Sequence, residues 1–163
     1  MIVGGYTSRP YAVSGKVQIF DLSPQRELCP NLQNYPFGVE SATGAIVSGV
    51  PVVCGGKKMY EPNLPQCYKY DNSTNSWTFL TNLTIGRVFS ASVPLNDKLF
   101  VIGGQVTGYK FLSSTEYIPL DGGESQPGPE LLLPRIKHCA VKLQTGKNDD
   151  KVQWIANFQW DIK

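Results

Sequence analysis

The sequence predicts an all-β protein made of one four-stranded unit written several times. Three observations predict it. Gly-Gly closes a short apolar run in Met1-Ile2-Val3-Gly4-Gly5, Val52-Val53-Cys54-Gly55-Gly56 and Phe100-Val101-Ile102-Gly103-Gly104, and the pairs stand 51 and 48 residues apart. An aromatic in a β-rich segment follows each pair in step: Phe20, Tyr70 and Tyr117 are 50 and 47 apart. Short apolar runs separated by regular turn signals, with no helical period between them, argue for strands throughout. A fixed period of this size marks a repeat protein.

The elements follow in order. Each unit opens on a strand after an Arg: Gly86-Arg87 precedes Val88-Phe89-Ser90-Ala91-Ser92-Val93, and Pro134-Arg135 precedes Ile136-Lys137-His138-Cys139-Ala140-Val141. The second strand ends in Gly-Gly. Lys98-Leu99-Phe100-Val101-Ile102 is apolar at successive positions, as expected of an inner strand covered on both faces. The glycines let the backbone turn with positive φ and let another segment come close. The third strand carries the aromatic: Val17-Gln18-Ile19-Phe20-Asp21-Leu22, Cys67-Tyr68-Lys69-Tyr70-Asp71 and Thr115-Glu116-Tyr117-Ile118. The polar run Asp71-Asn72-Ser73-Thr74-Asn75 is turn chemistry leading to a fourth strand with Trp77, and Asp71 is expected to make an Asx turn.

These residues resemble the kelch repeat, whose family fold is the β-propeller. Residues 52–87 match the whole pattern with Gly55, Gly56, Tyr70, Trp77 and Arg87. The first unit matches Gly4 and Gly5 but has Glu27 at the Trp offset, and the third matches Gly103, Gly104, Tyr117 and Arg135 but has Glu124 there. The implied organisation is a kelch propeller fragment over residues 1–163 with an incomplete ring of about three blades. It comprises a partial blade at 1–33, blades at 38–83 and 87–133, and the first strands of a further blade at 135–160. In the last of these, Lys151-Val152-Gln153-Trp154-Ile155-Ala156-Asn157 fills the slot of the next Gly-Gly strand. A longer gene product, a second copy completing the ring, or an open array each accounts for the count.

The 15 basic and 13 acidic residues leave a net charge of +2, with the cations scattered, so nucleic acid is not an expected partner. No apolar run approaches the roughly 20 residues that span a bilayer. The N-terminal residues lack the basic and long apolar regions of a signal peptide.

The four cysteines are 29, 54, 67 and 139. Cys54 and Cys67 end and begin neighbouring strands, so a disulfide across that hairpin is expected, with buried free thiols as the alternative. Cys29 and Cys139 have no assignable pairing. Asn72-Ser73-Thr74 and Asn82-Leu83-Thr84 are glycosylation sequons in turn-like segments. With the cysteine pair they lean toward a secreted glycoprotein, cytoplasmic residence being the alternative.

Chemistry is sparse. His138 is the only histidine, whereas a copper or zinc catalytic site takes two or three imidazoles. A resemblance to galactose oxidase, a kelch-type propeller enzyme with two histidine ligands to copper, therefore fails within this chain. No catalytic residue, cofactor or metal is assigned. Trp77 is expected to pack between blades. Arg87 and Arg135 either bond loop carbonyls or reach an anionic ligand. The function the resemblance implies is a non-catalytic protein-interaction module. Its expected contact loops are residues 57–66, 105–114 and 122–128, with Tyr60, Tyr109 and Phe111 as anchors. The alternatives are a fragment of a galactose oxidase-like enzyme, or an extracellular protein that binds glycan or matrix. A ubiquitin-ligase adaptor, another family role, needs a BTB-type domain that is absent from these residues.

Overall fold

The computed structural model describes residues 1–8, 11–19 and 32–142. Among them there is no helix. The strands are β1 (Ile2–Val3), β2 (Tyr6–Ser8), β3 (Tyr11–Val13), β4 (Val17–Gln18), β5 (Thr43–Val47), β6 (Val50–Cys54), β7 (Gln66–Asp71), β8 (Ser76–Asn82), β9 (Ala91–Leu95), β10 (Lys98–Ile102), β11 (Thr115–Pro119) and β12 (Gln126–Pro127). Two four-stranded antiparallel sheets, β5-β6-β7-β8 and β9-β10-β11-β12, repeat one meander. The first unit supplies β1 paired with β4, and between them the hairpin β2-β3.

The Gly-Gly strands are the inner ones, as their unbroken apolar character requires. Leu99, Phe100, Val101 and Ile102 are all buried. Two apolar layers hold neighbouring units together. Val47, Val52, Leu80 and Leu83 pack with Leu99, Val101 and Ile118 between the second and third units. Tyr35, Val39, Val53, Tyr70 and Trp77 pack between the first and second. Trp77 pairs with Tyr70 across β7-β8 and its indole N–H donates to the Gln33 carbonyl at 3.2 Å, which places it between units as expected.

The strand predicted from Val88 begins only at Ala91. Phe89 turns into the left-handed region at φ 56, and Ser41 and Lys137, each 48 residues away, do the same at φ 56 and 52. The Phe89 N–H donates to the Ser41 carbonyl at 3.1 Å, and the Lys137 N–H to the Phe89 carbonyl at 3.0 Å. Each unit is thereby hydrogen-bonded to the one before it at the bend, and the bend stops the strand from starting earlier. Residues 136–141, expected as a strand, form none. In the first unit the aromatic-bearing strand is described only as Val17–Gln18. Phe20, Glu27, Cys29 and residues 151–157 lie outside the described residues.

Candidate functional site

Antiparallel pairing sends alternate connections to opposite ends of the units. The β2-β3 hairpin and the β6-β7 and β10-β11 loops share one end, here the loop end. The β5-β6, β7-β8, β9-β10 and β11-β12 connections form the other, the turn end. Residues 122–128, expected among the contact loops, belong with the β11-β12 connection and so lie away from the other two loops.

The Gly pairs build the loop end. Gly5, Gly56 and Gly104 donate their N–H groups to the carbonyls of Val39, Arg87 and Arg135 at 2.8, 2.9 and 2.7 Å. A Cβ on Gly55 would stand 2.6 Å from the Arg87 carbonyl oxygen, and one on Gly103 2.8 Å from that of Arg135. The close approach expected of the glycines is therefore the next unit's entry segment, which any side chain would displace. From each pair the chain makes a small loop closed by a bridge, Lys57 to Asn63 and Gln105 to Phe111.

These loops hold aromatic rings out into solvent. Tyr60 is 95% exposed, Tyr109 86% and Phe111 48%. Sequence reasoning missed two more, Tyr6 and Tyr11, 55% and 72% exposed, whose rings lie 6.5 Å apart on the β2-β3 hairpin. Their position after Gly4-Gly5, in the slot of the other two loops, was the available signal. Neighbouring loops are stitched together: Asn63 donates its backbone N–H to Thr107 Oγ1 at 3.1 Å and its side-chain amide to the Gln105 carbonyl at 2.7 Å. Between them lies a groove lined by Lys57, Glu61, Asn63, Phe89, Thr107 and Tyr109.

Beneath the loops Arg87 is a structural clamp. It is 1% exposed and donates to the carbonyls of Gly103 and Ser114, both at 2.9 Å, and to the Glu116 carboxylate. Glu116, unremarked in the sequence, also accepts from the Thr84 N–H at 2.7 Å and the Ser125 hydroxyl at 2.6 Å. Burial pulls the guanidinium below its ordinary pKa, and Glu116 opposes that shift. Of the two readings for this Arg, carbonyl bonding is the one the geometry gives. Arg135 presents its own carbonyl to Gly104 in the same slot.

Cys54 and Cys67 face each other across β6-β7 and are joined by a disulfide. Cys139 is an exposed free thiol. Asn72 is exposed at the β7-β8 turn, where the Ser73 N–H donates to Asp71 Oδ1 at 2.8 Å as an Asx turn, and Asn82 is exposed at the end of β8. His138 is half-buried, and burial, aided by the Arg135 charge, lowers its pKa. Among the described residues no three His, Cys, Asp or Glu side chains are grouped to hold a metal ion. No helix there is long and apolar enough to cross a membrane.

No family model matches the chain. Over 107 residues it is 30% identical to Kelch-like protein 23 of Pongo abelii and 29% identical to that of Homo sapiens, covering 64% of this chain and 18% of each relative. Over 95 residues it is 30% identical to Kelch-like protein 38 of Danio rerio, covering 55% of this chain and 16% of the relative. The matched segment thus spans less than a fifth of these relatives' length.

Proposed function

This chain belongs to the kelch-repeat family, and from that premise we propose that its loop end is a docking face for a protein partner, with binding rather than catalysis as its role. The observation that carries the reading is the set of aromatic rings on the loops after the three Gly pairs, Tyr6, Tyr11, Tyr60, Tyr109 and Phe111. Large rings anchored on short, bridged loops contribute contact area at small entropic cost, which is the character of binding hot spots. Tyr60→Ala, Tyr109→Ala and Phe111→Ala combined tests it. Each truncated anchor costs more than about 1 kcal/mol, so partner recovery on the immobilised chain falls by well over tenfold. Unchanged recovery refutes the reading.

A second reading concerns the compartment. The Cys54–Cys67 disulfide favours an oxidising environment, where the exposed Asn72 would carry a glycan. Mass spectrometry of the native protein under non-reducing conditions tests it, and free thiols at both cysteines refute it in favour of the cytoplasmic alternative.

A further inference from the structure

We propose that the partner segment received at the loop end is acidic, a reading that rests on the docking face argued above and names its chemistry. The chain's small net charge of +2 conceals a separation between its two ends. Among the described residues the loop end carries Lys16, Lys57, Lys58, Lys110, Arg135 and Lys137 against three carboxylates, Glu40, Glu61 and Glu130. Among the described residues the turn end reverses the balance, with Asp71, Asp97, Asp121 and Glu124 against Lys69 and Lys98, and Lys142 stands outside both groups at the edge of the described residues. Arg87 and Glu116 neutralise each other in the interior and drop out of the comparison.

The carboxylates on the loop end are moreover engaged. Glu40 pairs with Lys57 at 3.4 Å, Glu61 with Lys58 at 3.3 Å, and Glu130 accepts from the Ser113 hydroxyl at 3.3 Å. The two ion pairs are substantially exposed, so they are weak and readily exchanged for a partner's carboxylate. Lys137 Nζ lies 4.9 Å over the ring of Phe89, a residue that lines the groove. A segment laid between the two loops would meet Tyr109 and Lys57 in the groove, and Tyr60, Phe111, Lys58 and Lys110 on the loops that flank it. Such a field selects negatively charged segments and speeds their encounter. The acidic turn end repels the same segments, which gives the array one receptive end.

The test uses the whole chain with a displayed library of short random peptides binned by net charge, and in parallel with vesicles of phosphatidylserine in phosphatidylcholine. Retained peptides are expected to be net negative. Raising salt from low to physiological weakens them about tenfold, and Lys58→Glu with Lys110→Glu weakens them at least as much. The thermal midpoint of that surface variant is expected to match the parent's and verifies its fold. Peptides whose retention depends on Tyr60, Tyr109 and Phe111 but not on charge overturn the acidic assignment and leave the docking face standing. Retention indifferent to those three rings overturns both. Preference for the vesicles over every peptide bin also overturns the proposal, making the face a membrane contact.

Discussion

Replacing Arg87 by Met should be among the most destabilising single changes in the described residues. The side chain is 1% exposed, and its removal strands the Glu116 carboxylate, whose side chain is 4% exposed. Thr84 N–H and the Ser125 hydroxyl remain as partners, but they do not neutralise it. Breaking one side of a buried ion pair costs about 3–5 kcal/mol. Glu116→Leu alone should cost a similar amount, since it leaves a buried guanidinium. The double variant Arg87→Met with Glu116→Leu removes both charges together. What it leaves without an acceptor is the N–H of Thr84, at about 1–3 kcal/mol, while the carbonyls of Gly103 and Ser114 keep the Ser90 hydroxyl and the Gly103 N–H as donors, both at 3.1 Å. The double variant should therefore cost no more than about 3 kcal/mol, far less than the two singles combined. Urea unfolding of the four proteins measures this coupling. Additive losses, or a single-variant loss below about 1 kcal/mol, would refute the clamp.

Three further outcomes are expected. Reducing the Cys54–Cys67 disulfide, which closes a sequence separation of 13 residues, should lower unfolding stability by about 3 kcal/mol in urea with and without reductant. Gly55→Ala should lower the urea midpoint more than Gly49→Ala. Both glycines have positive φ, +68 and +82, but only at Gly55 does the added Cβ meet a carbonyl, whereas at Gly49 it meets open space. His138 is held below its ordinary pKa, so the unfolded chain takes up a proton there at a higher pH than the folded one. Its contribution is thus complete above about pH 6.5 and declines as pH falls toward the folded value. Thermal midpoints from pH 8 to 5 should fall less steeply in His138→Gln.

The parts of the fold legible in the sequence are those where the backbone itself demands a residue type. Gly4, Gly55 and Gly103 take φ of 70, 68 and 57 with a neighbouring carbonyl against them, so glycine recurs there and the period can be read. Trp77 was legible because its offset from Tyr70 fixes a cross-strand pair. The bends at Ser41, Phe89 and Lys137 were not, because Ser, Phe and Lys carry no common preference for positive φ. Tertiary hydrogen bonding imposes it, and the strand expected from Val88 is shortened as a result. Glu116 was hidden in another way. Its partner lies 29 residues away, and nothing near it in sequence marks a buried carboxylate.

The slot occupied by Val39, Arg87 and Arg135 shows why the scaffold and the candidate site differ in legibility. All three present a carbonyl to the Gly pair of an adjacent unit, at 2.8, 2.9 and 2.7 Å. That contact needs no particular side chain, and it survives where the second unit opens on Val39 in place of Arg. The Arg87 clamp is then an addition to one boundary, matched by the Glu116 that faces it. The same reasoning applies to the loops. Once the backbone bonds at Gly5, Gly56 and Gly104 fix where each loop leaves the sheet, its tip is released from structural constraint. Tyr11, Tyr60 and Tyr109 accordingly sit at unequal offsets from their Gly pairs, 6, 4 and 5 residues on from the second glycine. A core aromatic could not drift this way without losing its partner across the strand, as Tyr70 and Trp77 illustrate. Exposed rings retained on three loops without a fixed register are what a face selected for contact, rather than for packing, would hold.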